Sequence, residues 1–183
     1  MKKDLTDKRY LHTQGVAEEA AKLAERYGAD KEKAVAAALL HDCAKCLSDS
    51  QILKQCKEYG IALDKILKAR PMISHGFLGA AVAKAHYHIN DAEVLDAISY
   101  HTTGKAGMTT LGKIIYVADC IEPNRDPYPG LEAIRKLAYV DLDRAVIKAL
   151  ENTIEENKAK NELIHPLSYD ALNDLLSKGD HTI

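Results

Sequence analysis

The 183-residue sequence has few aromatic residues and almost no net charge. It contains no tryptophan, one phenylalanine and nine tyrosines, and its 25 lysines and arginines are balanced by 27 aspartates and glutamates. A general nucleic-acid-binding protein carries a strong positive excess, so this balance argues against a nucleic-acid partner. Any anionic ligand must therefore be bound by local groups rather than by the overall charge of the protein.

Long apolar runs and nucleotide-binding glycine motifs are also missing. The longest apolar run covers positions 34–40, far short of the ~20 residues that a membrane span requires. The sequence begins Met-Lys-Lys-Asp and shows no apolar leader segment, and its four cysteines suit a reducing compartment. Neither a P-loop nor a Rossmann fingerprint occurs. We expect a cytoplasmic protein without a membrane partner.

The periodic stretches of the sequence predict an all-α fold. Alanine, leucine, lysine and glutamate dominate them, apolar residues recur at helical spacing, and strand-like alternation is absent. A loop rich in proline and glycine at 124–130 separates six earlier helices from three later ones. We predict helices at about residues 7–27, 31–40, 48–60, from 74, 90–101, 110–122, 131–137, 141–160 and 168–176.

Six histidine and aspartate side chains, residue types that bind metals, lie on apolar faces or at the ends of apolar runs in these helices. A single histidine on an apolar face is more often a hydrogen-bonded core or surface residue than a ligand. A buried carboxylate without a partner costs several kcal/mol, so Asp119, within Ile-Ile-Tyr-Val-Ala-Asp-Cys-Ile, requires a cation. The candidate ligands are His12, His41, Asp42, His75, His101 and Asp119.

Metal ions would satisfy all six groups together. Imidazoles combined with carboxylates suit iron, manganese, zinc or cobalt, whereas carboxylates alone suit magnesium or calcium. Six ligands are more than one catalytic ion with open positions would use, so we predict two divalent ions about 3.5–4 Å apart. Asp42 is our choice for the bridging ligand and for the residue that orients the nucleophile.

The order of these residues resembles the HD-domain phosphohydrolase superfamily and, within it, the YqeK-like family. The resemblance covers about residues 9–166 and implies an all-helical HD bundle with additional C-terminal helices. The resemblance implies that all six ligand positions of the family are present in this sequence. The segments that carry it are Arg-Tyr-Leu-His12-Thr-Gln-Gly-Val, Leu-Leu-His41-Asp42-Cys-Ala-Lys45, Ile-Ser-His75-Gly, Tyr-His101-Thr-Thr-Gly and Tyr-Val-Ala-Asp119-Cys-Ile-Glu-Pro-Asn-Arg125.

The family implies an activity, a cofactor and a domain organisation. The activity is symmetrical hydrolysis of diadenosine tetraphosphate to two ADP, and the cofactor is a binuclear iron centre. A metal-bound hydroxide would attack a β-phosphorus of the tetraphosphate bridge, since bound metal lowers the pKa of water to about 7. We predict one HD-type domain over residues 1–183, with a metal-binding core at about 6–125 and a helical cover at about 130–178.

Two basic residues are candidates for binding phosphate. Lys45 follows Asp42 by three residues and could place a positive charge next to the ions, as a catalytic and substrate-binding group. Arg125 lies in the loop after Asp119 and could bind a phosphate group through two hydrogen bonds. The alternatives are a solvated lysine at a helix end and a surface arginine.

Two further segments are candidates for lining the substrate site. Thr102, Thr103 and Gly104 follow His101 directly, and a turn with hydroxyls and a glycine can approach phosphate closely. His165, within Ile-His-Pro, resembles a piece of the C-terminal region of the family and could line the nucleotide site. A structural turn is the alternative for His165.

Other functions remain compatible with the same residues. The substrate could be another nucleotide or phosphoester, because nothing in the sequence identifies the base. A non-catalytic regulator that binds metal and nucleotide and an oxygen-using di-iron enzyme are further alternatives. The long C-terminal amphipathic helices could also pair in a homodimer.

Overall fold

The computed structural model describes residues 7–179. Two expectations fall on residues outside this range: the absence of an apolar leader at residues 1–4, and the start of the metal-binding core at residue 6. The described range contains no β-strand, which confirms the all-α prediction. None of its helices combines the length and the apolarity needed to cross a membrane. Its ten α-helices are α1 (Asp7–Tyr27), α2 (Lys31–Leu40), α3 (Asp49–Glu58), α4 (Lys65–Ala69), α5 (His75–Tyr87), α6 (Ala92–Tyr100), α7 (Thr110–Ile121), α8 (Leu131–Ala138), α9 (Leu142–Ala159) and α10 (Pro166–Lys178).

Side-chain caps explain where several helices begin. The Asp30 carboxylate accepts hydrogen bonds from two backbone N–H groups at the start of α2. Ser48 and Gln51 form the reciprocal capping box expected at the start of α3. The cap of α6 is Asp91, one residue later than predicted, because the Asp91 carboxylate accepts from the first backbone N–H groups of that helix. Local polar residues therefore fix these boundaries.

The helix α7 lies at the centre of the fold and packs against α1, α2, α6, α8 and α9. Ile114 and Ile115 of this helix are fully buried, as are Val16 of α1, Ile98 of α6 and Leu150 of α9. These residues belong to one apolar cluster that also reaches α10. The C-terminal helices thus share their core with the earlier helices. Because α7 is buried on nearly all sides, its last turn delivers polar groups into the interior.

Candidate metal centre and substrate cleft

The six candidate ligands meet at one place in the fold. They come from α1, from the end of α2, from the start of α5, from the end of α6 and from the last turn of α7. Their nitrogen and oxygen atoms form three overlapping groups, within each of which the atoms lie no more than 4.8 Å apart. The groups are His12 with His41 and Asp42, His41 with His101 and Asp119, and Asp42 with His75 and His101.

Asp42 lies between all four imidazoles. Its Oδ1 atom is 3.1 Å from His75 Nε2 and 3.4 Å from His101 Nε2. Its Oδ2 atom is 3.5 Å from His41 Nε2 and 3.8 Å from His12 Nε2. Each oxygen of one buried carboxylate thus faces a different pair of imidazoles.

Asp119 faces the His12 side of the cluster. Its Oδ1 atom is 3.1 Å from His12 Nε2, 3.8 Å from His41 Nε2 and 2.6 Å from Arg125 Nη2. Burial alone would raise the pKa of Asp119, but the hydrogen bond with His12 and the charge of Arg125 outweigh burial and hold this pKa well below its usual value. Burial likewise opposes ionisation of Asp42, but the charged ammonium group of Lys45, 3.1 Å from Oδ2, helps to keep the pKa of Asp42 low. Both carboxylates are therefore anionic at neutral pH.

Three of the imidazoles are oriented in the same way by the backbone. In each, Nδ1 contacts the carbonyl oxygen of the residue three positions earlier, and a carbonyl can only accept a hydrogen bond. Nδ1 must therefore carry the proton, which leaves a lone pair on Nε2 of the neutral ring. The contacts are His41 with Ala38 at 2.6 Å, His75 with Met72 at 2.6 Å and His101 with Ile98 at 2.8 Å.

The converging lone pairs fit a divalent metal ion. His75 Nε2 and His101 Nε2 are 3.0 Å apart, and with the ring proton on Nδ1 neither atom can donate a hydrogen bond to the other. His41 Nε2 and Asp42 Oδ1 are buried and have no hydrogen-bond partner among the described residues. Burial lowers the pKa of His41 to about 4, so this ring is neutral and available as a ligand near pH 7. The cluster of nitrogen and oxygen donors can hold iron, manganese, cobalt or zinc.

A cleft of about 910 Å³ opens beside the cluster. Both basic residues predicted to bind phosphate line it, together with Arg9 and with residues of α9 such as Asn152. Lys45 Nζ is 3.1 Å from Asp42 Oδ2, and Arg125 donates from Nε to the Asp119 carbonyl oxygen at 2.8 Å. The two basic side chains therefore lie between the candidate ligands and the open cleft.

The segment after His101 divides into two parts. The Thr102 hydroxyl lies 3.2 Å from His101 Nε2 and 3.3 Å from His75 Nε2, next to the cluster. Thr103 is buried and donates its hydroxyl to the carbonyl oxygen of Gly104. Gly104 has a φ of 66°, and a Cβ there would lie 2.9 Å from the Ala171 side chain. Gly104 thus packs against α10, and none of Thr102, Thr103 and Gly104 is among the described residues that line the cleft.

His165 lies away from the cleft lining and has a structural role. It caps α10, where Nδ1 accepts from the Leu167 N–H group at 3.3 Å. Its Nε2 lies 3.0 Å from Asp64, the N-cap residue of α4. His165 therefore joins α10 to α4, as in the structural alternative for this residue.

Two residues of the site were not identified from the sequence. Glu122, only 1% exposed, follows α7 directly and places Oε1 3.1 Å from His12 Nδ1. Arg9 places Nη1 3.6 Å from Asp42 Oδ2. For Glu122 a signal existed, because a carboxylate at the end of an apolar helix needs a partner as much as Asp119 does. For Arg9, helical spacing three residues before His12 was the available signal.

Comparison with known proteins identifies the family of the chain. The profile of the HD domain matches residues 9–124. A Bacillus subtilis protein named "Bis(5'-nucleosyl)-tetraphosphatase, symmetrical" is 42% identical over 97% of this chain and 94% of its own length. A Staphylococcus aureus protein of the same name is 38% identical, over 94% of this chain and 89% of its own length.

A solved structure shows the same fold. It is the crystal structure of a Clostridium acetobutylicum protein described as a "predicted HD superfamily hydrolase involved in NAD metabolism". The two structures superpose with a TM-score of 0.93 at 40% sequence identity, over 96% of this chain and 93% of the other.

A helical bundle that gathers a histidine, a His-Asp pair, two further histidines and a distant aspartate has the architecture of an HD-type hydrolase. The chain belongs to the HD-domain superfamily of phosphohydrolases and, within it, to the YqeK-like family. This confirms the family predicted from the sequence motifs.

Proposed function

We propose that the protein hydrolyses diadenosine tetraphosphate symmetrically, by attack of water on a β-phosphorus, to give two ADP. The observation that carries the proposal is the convergence of four imidazoles and two carboxylates beside a cleft lined by basic side chains. The names of the full-length relatives support this substrate and the symmetrical position of cleavage.

The six candidate ligands would hold two divalent ions, iron in the first place, with manganese, cobalt or zinc as alternatives. The arrangement of Asp42 supports two ions and a bridging role, since Oδ1 faces His75 and His101 whereas Oδ2 faces His12 and His41. Divalent ions bound in such a site offset the charge of phosphate oxygens and lower the pKa of a bound water.

The basic residues of the cleft would bind the polyphosphate. Lys45 and Arg125 lie within 3.1 Å of the two candidate carboxylate ligands, so a phosphate group next to those ligands would meet both cations. The Thr102 hydroxyl, beside the imidazoles, would be a further hydrogen-bonding group. Thr103, Gly104 and His165 are left out of the proposed substrate contacts, because their observed contacts join other parts of the fold.

The cleft is large enough for a nucleotide and uses both parts of the chain. Its volume of about 910 Å³ lies in the upper range of small-molecule sites. One wall comes from the metal-binding core and includes His12, and another comes from α9 and includes Asn152 and Thr153. This supports a single domain in which the C-terminal helical cover completes the substrate site.

Product analysis tests the proposal. The purified protein, with its metal content measured, is incubated in ¹⁸O-labelled water with diadenosine tetraphosphate and a panel of other nucleotides and phosphoesters. We expect ADP alone from diadenosine tetraphosphate, with one ¹⁸O per two ADP in a β-phosphate. AMP with ATP would mean attack at an outer phosphorus, and turnover of only another phosphoester would contradict the proposed substrate.

A matched pair of histidine variants tests the site itself. His41→Ala should abolish turnover and metal retention, because His41 is fully buried in the cluster. His86→Ala makes the same change on the exposed side of α5, where the imidazole contacts Tyr59, and should leave both unchanged. Parent-like turnover by His41→Ala would show that the site is wrongly assigned.

A further inference from the structure

His12 differs from the other three imidazoles in its position along a helix. His41 and His101 are the C-cap residues of α2 and α6, and His75 follows a 3-10 turn. At the ends of α2 and α6, the last backbone carbonyls have no partner in the helix and are free to accept from Nδ1, whereas the Met72 carbonyl that His75 contacts also accepts from the His75 backbone N–H. His12 lies inside α1, where the carbonyl three residues earlier is already used by the backbone hydrogen bonds of the helix. Its Nδ1 atom contacts a side chain from a distant part of the sequence instead.

The acceptor is the Glu122 carboxylate. Glu122 Oε1 is 3.1 Å from His12 Nδ1, and Oε2 accepts a hydrogen bond from the Asn124 backbone N–H at 2.7 Å. An ionised carboxylate has no hydrogen to donate, so His12 Nδ1 must carry the proton. The other nitrogen, Nε2, lies 3.1 Å from Asp119 Oδ1 and is therefore the atom of this ring that would be available to a metal ion once it is deprotonated.

A glycine in α1 provides a second, independent observation. Gly15 lies inside the helix and is buried, although glycine in a helix interior costs about 1 kcal/mol relative to alanine. A Cβ at this position would collide with Glu122 Oε2 and would lie 3.0 Å from Asn124 Nδ2. The absence of a side chain one turn after His12 thus leaves the space that the carboxylate occupies.

We propose that Glu122 is a positioning residue: it holds His12 with a proton on Nδ1, so that Nε2 would be available to bind a metal ion. The proposal rests on the proposed role of His12 as a ligand. Groups that orient ligating imidazoles in this way typically change metal affinity 10–100-fold when they are replaced. Glu122 acts through His12 and makes no direct contact with the substrate in this role.

The variant Glu122→Gln tests the proposal with almost no change in shape. The Asn124 backbone N–H can only donate, whereas the imidazole can accept after moving its proton to Nε2. The amide should therefore turn its oxygen to Asn124 and its NH₂ group to His12 Nδ1. That arrangement places a proton on the nitrogen that would bind the metal.

Two measurements without substrate read out the effect. We expect the zinc affinity of Glu122→Gln, measured by competition with a chromophoric chelator, to fall 10–100-fold. In the zinc-loaded protein labelled with ¹⁵N-histidine, the parent should show a protonated Nδ1 and a ligating Nε2 at His12. The variant should lose this pattern. If Glu122 only anchored the loop after α7, the His12 signals would stay the same.

Glu19→Gln is the matched control. Glu19 lies in the same helix as His12, is also buried at 7% exposure, and contacts Lys22 and the Tyr139 hydroxyl. Its replacement removes one buried negative charge but leaves the metal cluster untouched, so zinc affinity and the His12 signals should stay at the parent values.

The outcomes separate this proposal from the proposed function. If Glu122→Gln binds zinc as tightly as the parent and keeps the parent His12 signals, Glu122 only anchors the loop and the proposal is wrong. If the parent itself binds no divalent metal, the proposed function fails with it. Should Glu122→Gln not fold, Gly15→Ala displaces the carboxylate while retaining it, and parent-like zinc affinity in that variant would overturn the proposal.

Discussion

Replacing Asp42 by asparagine should separate metal binding from the stability of the fold. Asp42 Oδ1 lies 3.1 Å from His75 Nε2 and 3.4 Å from His101 Nε2, both of which carry lone pairs. Asparagine has nearly the same size, but its amide can donate hydrogen bonds to such lone pairs. The metal-free variant should therefore be at least as stable as the metal-free parent, while its affinity for metal is lost.

The size of the effect follows from linkage between binding and unfolding. A ligand present at 1,000 times its Kd stabilises the native state by about 4.1 kcal/mol. For a chain of this length, 1 kcal/mol corresponds to about 2–4 °C in Tm. A chelator should thus lower the Tm of the metal-loaded parent by roughly 8–16 °C. The same chelator should leave the Tm of Asp42→Asn unchanged.

Thermal unfolding with and without chelator, together with metal analysis of the purified proteins, measures this difference. Asp30→Asn is the matched control, because it removes the same charge at a helix cap where asparagine is equally favourable. This control should show the parent response to chelator. If Asp42→Asn retains the full metal content and the parent chelator response, Asp42 is not a ligand and the reasoning about the cluster is refuted.

Three further predictions concern Lys45 in the cleft, Leu23 in the apolar core and Asp64 at the start of α4. Lys45→Ala should lower kcat/KM about 100-fold without loss of metal, since Lys45 places a cation beside the cluster; parent-like kcat/KM would contradict its role. Leu23→Ala should lower the free energy of unfolding by about 2–5 kcal/mol in urea titrations, because Leu23 is fully buried, and a loss below about 1 kcal/mol would contradict this packing. The Leu67 backbone N–H donates a hydrogen bond to the Asp64 carboxylate and is the main cause that lowers the pKa of Asp64 from 3.8. The stabilisation by ionised Asp64 is therefore present above pH 3.8 and is lost as the pH falls through the pKa of the folded state. The Tm difference between the parent and Asp64→Ala should accordingly narrow below pH 4, and a constant difference down to pH 2 would disprove this linkage.

The fold could be predicted wherever local chemistry determines the structure. Asp30 and Ser48 cap helices through backbone N–H groups two or three residues away, so their sequence signals are complete. The helix α4 was missed because Lys65–Ala69 is too short to show a helical period. Its cap, Asp64, was visible, but an isolated aspartate is a weak signal. Short segments thus depend on tertiary contacts that the sequence does not reveal.

The candidate site was predictable as a set of residue types but not as a set of contacts. Buried carboxylates and histidines in apolar stretches indicate a metal site without reference to distant residues. The contact of His165 with Asp64, by contrast, joins residues 101 positions apart. The packing of Gly104 against Ala171 likewise depends on where α10 lies. Whether these residues reach the cleft is decided by helix packing, which local patterns do not encode.

The same distinction applies within the metal centre. His41, His75 and His101 each contact a carbonyl three residues earlier, so the orientation of these rings is determined as soon as their own helix ends form. The orientation of His12 depends on Glu122, which is 110 residues away, and therefore on the packing of α1 against α7. Three ligands are thus oriented by local structure and one by the tertiary fold. Since His12 and Asp119 both lie at the α1–α7 contact, completion of the metal centre requires the packing that also forms the central apolar core.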